Sequence, residues 1–523
     1  MTGTLVLLRA FLRRDRWMYL WWPVGIVILY VSQGWSVDGL YRTQEEFDKA
    51  AAGMEGNAAL IAMAGPARAL NTTGGQVAWQ AAAFGAILVG LMSMFLIGRH
   101  TRSEEESGRD ELLRAAPVGR YAALTAAVLD AALANLVVGL LTAGSLAAYG
   151  LAVADSLGLG LGLTACGWLF TGTALLGAQL TTSTRAAYGL AGTVIGLAYA
   201  LRAFGDVSTA ALSWLSPIGW YQAMHAFSGL RWWPAVLLLV GTVAGLAAAY
   251  AVFDRRDYGS GVLPARPGPA RAGRGLSTGL GLAWRLQRPA VLAWTLGLLL
   301  GGLGFGTMGD DIGDLIGDSG TSRDLMLQGS TDLVDGFYAT LMLMLALLAA
   351  GFSISSSLRP HGEENAGRVE TLLATALRRS TWLGGHVVVT VAGTVATMAA
   401  AGLGLGTSYA LVTGDGDAVL RMTWQVLSLS PAVLVLSGFA RLVHGALPRA
   451  VLLSWLALLL ACVVLFFGEL FQLPRWFQDL SPFEHLALVP LEPFRWGPFV
   501  ALTAVAAALS VAGQIAFRRR DVH

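Results

Sequence analysis

The chain has 523 residues, 55% of them hydrophobic and only 13% charged, with a mean hydropathy of +0.60. A soluble globular chain carries roughly 25% charged residues, so this balance excludes a water-soluble fold and places most of the chain in lipid. A net charge of +2 gives no sign of a nucleic-acid partner, and Cys166 and Cys462, each alone in an apolar run, are expected to be buried thiols rather than metal ligands.

A membrane-crossing helix needs about 20 largely apolar residues. Residues 4–16 are too polar for that: Arg9, Arg13 and Arg16 form one helical stripe and Leu7, Leu8, Phe11 and Leu12 the other, which predicts a helix along the membrane interface. Six apolar runs follow, at 17–37, 76–98, 121–151, 157–180, 185–204 and 233–253. The first exceeds a signal-peptide core and has no small-residue cleavage site behind it, so it reads as a retained helix. A Pro-, Gly- and Arg-rich stretch with Pro264, Pro267 and Pro269 then reads as a flexible linker. A weaker amphipathic segment at 280–288, with Trp284, Arg285 and Arg288, precedes six further runs at 289–308, 333–357, 381–412, 418–442, 450–468 and 498–517. The expected fold is all-α and polytopic, with twelve transmembrane helices in two parallel six-helix repeats related by a pseudo-two-fold axis along the membrane normal. The first half spans 1–257, the flexible cytoplasmic linker 258–277 and the second half 278–523.

Short cytoplasmic loops are enriched in Lys and Arg. Lys49 is the only lysine, so arginine sets the orientation. One side collects Arg9, Arg13, Arg14 and Arg16, the loops from Arg99 to Arg120 and from Arg359 to Arg379, Arg185, the linker, Arg441, Arg449 and Arg518 to Arg520. The other collects Asp310, Asp311, Asp314, Asp318, Asp324, Asp332 and Asp335 against Arg323. Both termini are therefore expected on the cytoplasmic face of the cell membrane. The acidic spacing matches no Ca²⁺ loop, so these aspartates are read as solvated. Segments 43–73 and 309–332 are longer than simple turns and are candidate interfacial helices on the outer side.

Three signatures recur in order in the two halves. Glu104-Glu105, Gly108-Arg109 and Glu111-Leu112-Leu113 return as Glu363-Glu364, Gly367-Arg368 and Glu370-Thr371-Leu372, in identical register. Leu215-Ser216-Pro217 and Arg231-Trp232 return as Leu480-Ser481-Pro482 and Arg495-Trp496, and Phe253 with Arg255-Arg256-Asp257 returns as Phe517 with Arg519-Arg520-Asp521. In the first signature Glu105 and Arg109, like Glu364 and Arg368, are spaced i and i+4 with the acid first, which favours a short helix. Such a loop is either a solvated turn or a docking helix that transmits the movement of a soluble partner to the flanking spans. The second signature lies in helix-breaking stretches before each last span: Ser216-Pro217 and Ser481-Pro482 mark either an aromatic belt or re-entrant helices capping the outer mouth. Met92, Met94, Phe95, Met342 and Met344, on the second span of each half, are candidates for a pathway for varied apolar substrates, or are ordinary packing.

No P-loop is possible, because the only lysine sits in Phe47-Asp48-Lys49-Ala50. Proton coupling would need ionisable groups in the membrane. Asp130, His386 and Glu469 are the only candidates; each is expected near a membrane interface, so no proton relay is read. No His-Glu-x-x-His or paired-acid constellation speaks for a membrane-embedded enzyme.

With its amphipathic N-terminal helix, its Glu-Glu-x-x-Gly-Arg-x-Glu loops and its broken segments before each last span, the chain resembles ABC exporter permeases of the type-2 class. More narrowly, Gly108-Arg109-Asp110-Glu111-Leu112-Leu113 and Gly367-Arg368-Val369-Glu370-Thr371-Leu372-Leu373 resemble the fused twelve-span actinobacterial permeases called exporters of polyketide antibiotics. The resemblance implies outward transport of a lipophilic drug or natural product, driven by a separate ATPase subunit, two copies of which dock beneath the loops and bind ATP and Mg²⁺. It implies no catalytic residue, cofactor or metal in this chain. The coupling role falls on Glu104, Glu105, Gly108, Arg109 and Glu111, and on Glu363, Glu364, Gly367, Arg368 and Glu370. Asn365 stands where the first copy has Glu106, which leaves open whether both halves couple equally. A proton-coupled drug antiporter is the alternative, although the loop between spans two and three lacks the Gly-x-x-x-Asp-Arg pattern of that family.

Overall fold

A computed structural model describes residues 2–40, 43–54, 58–208, 210–257, 259–263, 270–306, 333–467 and 473–520. The outer aspartates Asp310, Asp311, Asp314, Asp318, Asp324 and Asp332, the linker prolines and Glu469 lie outside these residues. The protein is an all-α polytopic membrane protein: twelve helices are long and apolar enough to cross a bilayer, and there is no strand among the described residues. In lipid this is forced, because a helix satisfies every backbone polar group internally. The described residues fall into two compact units, one up to residue 263 and one from residue 270.

The first unit opens with a helix at Thr4–Arg14 that buries Leu7 and Phe11 and exposes Leu5 and Val6. Its spanning helices are Met18–Leu40, Thr73–His100, Ala122–Tyr149, Val153–Leu180, Thr184–Val207 and Trp233–Arg255. Between the first two, short helices at Gln44–Met54 and Ala58–Ala64 occupy the segment expected to be longer than a turn. Local chemistry sets the ends. Thr72 and Ser183 cap the second and fifth spans by accepting from the N–H groups of Gly75 (3.1 Å) and Ala186 (3.3 Å), and Gly150, at φ 108°, ends the third.

Hydrophobic drive between helices is absent in lipid, so close approach depends on small residues. Gly139 of the third span and Gly160 of the fourth meet where a Cβ on either would come within 2.3 Å of the other's carbonyl oxygen. Such contacts make the second and fourth spans the centre of this unit, 72% and 78% buried against 28% for the first and fifth.

The second unit's spans are Gly279–Gly306, Leu333–Ser357, Arg379–Thr413, a two-piece tenth span at Ala418–Ser428 and Ser430–Ala446, then Leu453–Phe467 and Trp496–Arg519. Two of these differ from expectation. Residues 280–288 are not a separate interfacial helix but the first turns of the seventh span. Ala283, Gln287 and Val291 make one buried stripe through the segment while Pro289 sits on the exposed face, so its missing N–H does not interrupt the packing. The tenth span breaks at Leu429 because the Pro431 ring cannot coexist with a regular helical carbonyl at Leu427.

Candidate functional site

In each unit the second span runs into two short helices joined by a glycine. In the first, Arg102–Glu106 and Arg109–Arg114 flank Gly108 at φ 72°; in the second, Arg359–Asn365 and Arg368–Leu373 flank Gly367 at φ 68°. Nothing lies within 4 Å of a Cβ at either glycine, so the left-handed backbone alone demands the residue. This turn overturns the expected i, i+4 pairing. With the helix broken, the preceding glutamate reaches the arginine instead: Glu104 lies 3.8 Å from Arg109, and Glu363 accepts from Arg368 at 2.6 Å. That bond holds the Arg368 guanidinium above its ordinary value.

The second glutamate of each pair turns inward. Glu105 accepts from Arg102 at 2.8 Å and from Arg256 through both guanidinium nitrogens, while Arg256 also donates to Gln179 Oε1 at 2.8 Å. Glu364 accepts from Arg520 through both oxygens, each at 2.6 Å. A fork-to-fork pair of this kind fixes direction as well as distance. Each loop is therefore tied to the last residues of its unit's last span. Further anchors in the first unit run from Glu104 to Arg14 (2.5 Å), from Arg102 to the Ala178 carbonyl (2.6 Å) and from Glu106 to the Thr184 N–H (2.9 Å). Left facing solvent are Arg109, Glu111, Arg368 and Glu370, which form the outward charge of the two loops.

Arg256 and Arg520 were not among the coupling residues expected from sequence, although the third repeated signature contains both. Asp130, expected near a membrane interface, packs against the ends of the first helix and the second span. It is fully buried with Asp15 and His100, where His100 bonds Asp15, Asp130 lies 3.8 Å away, Arg99 pairs with Asp15 at 3.1 Å and the Tyr19 hydroxyl donates to Asp130 at 3.2 Å. Phe11 stacks on the His100 ring at 3.9 Å, so the first helix covers the cluster. In the second unit His386, also buried, joins a hydrogen-bond network with Gln287 (2.9 Å), Ser356 and Thr390.

At the opposite end of the first unit, Ser216 donates to the Ala198 carbonyl and caps the short helix Pro217–Gln222, which packs against the second, fourth, fifth and sixth spans. Ser481 precedes the equivalent short turn Pro482–His485 and is buried, but makes no capping bond. Beside the first lies a small pocket lined by Arg68, Trp79, Leu159, Tyr221, Met224 and His225. Burial, reinforced by Arg68 and Arg231, pushes His225 down to about 4. Met92, Met94 and Met342 are packed in the core of their own unit, Met344 is partly buried against it, and Phe95 is 38% exposed between Trp22 and Tyr188.

Residues 276–518 match the family model described as the C-terminal domain of multidrug efflux system permease Rv1217c. The multidrug efflux system permease protein Rv1217c of Mycobacterium tuberculosis (strain ATCC 25618 / H37Rv) is 37% identical over 530 residues, an alignment covering all of this chain and 95% of that protein. Identity at that level across every span fixes the family, and the chain belongs to that of the Rv1217c multidrug efflux system permeases.

Proposed function

We propose that the protein is the transmembrane subunit of an ATP-driven ABC exporter of the type-2 class, in the plasma membrane with both termini cytoplasmic. In this reading the two halves are parallel repeats, and a pair of separate ATPase subunits binds ATP and Mg²⁺ beneath the Gly108 and Gly367 loops. The cargo is a lipophilic drug or antibiotic-like natural product moved outward. The observation that carries the reading is the repeated loop: an inner glutamate locked to the last span, and exposed Arg109, Glu111, Arg368 and Glu370 for a partner. An ATPase movement felt by the exposed charges would reach the last span through Glu105–Arg256 and Glu364–Arg520.

The test is reconstitution with an ABC ATPase subunit co-expressed from the same genome. Arg109→Ala with Arg368→Ala is expected to lower drug-stimulated ATP hydrolysis by about tenfold, the scale of an inter-site coupling energy, while the subunits still insert. Unchanged stimulation, or failure of an ATPase to copurify with the permease, would sink the reading. A second reading, proton-coupled antiport, draws on one observation, the buried Asp15–His100–Asp130 cluster. It requires that a pH gradient drive drug uptake into ATP-free proteoliposomes and that Asp130→Asn abolish it.

A further inference from the structure

Glu105 and Glu364 hold the same register position and the same arginine partner, but their surroundings differ. In the first unit, Arg102 stands three residues before Glu105 and Gln179 stands at the end of the fourth span, and both are engaged: Arg102 with Glu105 and Ala178, Gln179 with Arg256. In the second unit, the residue three before Glu364 is His361, and near the end of the tenth span stands His444. His444 is 1% exposed, yet neither of its ring nitrogens has a hydrogen-bond partner, and nor does Nδ1 of His361. A buried polar group left unmet is costly, and native structures rarely leave one so without a reason.

The donor atoms of His361, Glu364 and His444 lie within 4.8 Å of one another, with His444 Nε2 3.9 Å from Glu364 Oε2. Tetrahedral coordination with bonds of about 2.0–2.2 Å places donors about 3.4 Å apart, so modest side-chain rotations close the set. We propose that His361, Glu364 and His444 form a binding site for a divalent transition-metal cation of the zinc type, which displaces Arg520 from Glu364. Two imidazoles and one carboxylate suit zinc and its borderline neighbours and disfavour Mg²⁺ or Ca²⁺, which take all-oxygen shells. Asn365 lies 3.0 Å from His361 Nε2, and with its amide turned so that Oδ1 accepts from Nε2–H it fixes the tautomer that leaves Nδ1 for the metal.

Charge dictates the competition. Glu364 and Arg520 together are neutral, and a dication added beside them would leave two uncompensated charges in a confined site. The Arg520 side chain is 19% exposed and can turn to solvent, lowering that excess to one, which a bound hydroxide offsets. With metal bound, the loop is clamped to the tenth span instead of the twelfth. The first unit, with Arg102 and Gln179 in place of the histidines, cannot make the exchange.

The site concerns the permease alone, so its test does not depend on an ATPase docking there. Full-length, chelator-stripped protein in detergent is titrated with Co²⁺, read by d–d absorption, and with Zn²⁺, read by bound metal per chain after dialysis. One equivalent per chain is expected. His361→Ala, at a partly exposed position that the fold tolerates, and His444→Ala should each weaken binding by about tenfold or more. Arg520→Gln should tighten it, and Arg256→Gln in the first unit should leave it unchanged. Absence of stoichiometric binding to folded protein, or binding indifferent to both histidine variants, would overturn the site. Binding weakened by Arg520→Gln would overturn the displacement.

Discussion

Glu105 receives arginines from two directions, Arg102 at its own loop and Arg256 at the end of the sixth span, and all three side chains are at most 8% exposed. Breaking a lone buried ion pair costs roughly 3–5 kcal/mol because the remaining charge stays desolvated. Arg256→Ala leaves Glu105 with Arg102, so a smaller loss, about 2 kcal/mol, is expected in denaturant titrations of the detergent-solubilised protein. A double-mutant cycle with Glu105→Gln should return a coupling of about 1 kcal/mol or more. Additive losses would mean that the two residues do not act as one latch. The exposed pair member Arg109, with Glu104 3.8 Å away and 66% of its side chain in solvent, should contribute little to stability, since surface pairs are worth about 0–1 kcal/mol. Its loss should be felt in coupling and not in folding.

At the scale of helices, small residues decide which spans touch. In the second unit the seventh and ninth spans close on Gly302, Gly306 and Gly404, where a Cβ would fall 2.2–2.3 Å from a backbone carbonyl oxygen or closer to a side chain. The third and fourth spans close on Gly139 and Gly160 in the same way. Backbone cannot retreat as a flexible side chain can, so Gly160→Leu is expected to abolish the monodisperse peak of the extracted protein on size exclusion. Gly144→Leu, on the third span with open space at its Cβ, should elute as wild type. Equal behaviour of the two would show that helix contact is not set by these glycines. The Pro431 break in the tenth span belongs to this scale too: it places His444 on a separate helical piece, Ser430–Ala446, from the residues before Leu429.

For the molecule as a whole, each unit has its own apolar core, one built around Val89, Phe170 and Leu163, the other around Met342, Ala401 and Val433. Fragments 1–263 and 270–523, expressed together as separate chains, are therefore each expected to insert and fold, as read by trypsin resistance in membranes. Rapid cleavage of either within its spans would show that its core depends on covalent continuity. Composition and pattern alone determined that this chain is a twelve-span helical membrane protein, because the bilayer leaves an apolar run of about 20 residues no other way to satisfy its backbone. The repeated Glu-Glu-x-x-Gly-Arg motif was equally plain as spacing. Which acid meets which base was not, because Gly108 and Gly367 turn left-handed and shift the pairing by one residue, a backbone choice that helical periodicity does not encode. Nor could spacing bring Asp15 to His100 and Asp130, or His361 to His444, across separations of about 80 to 115 residues. Local sequence sets each helix and its ends; contacts between charges on different helices are set by how those helices pack, and only the tertiary structure decides that.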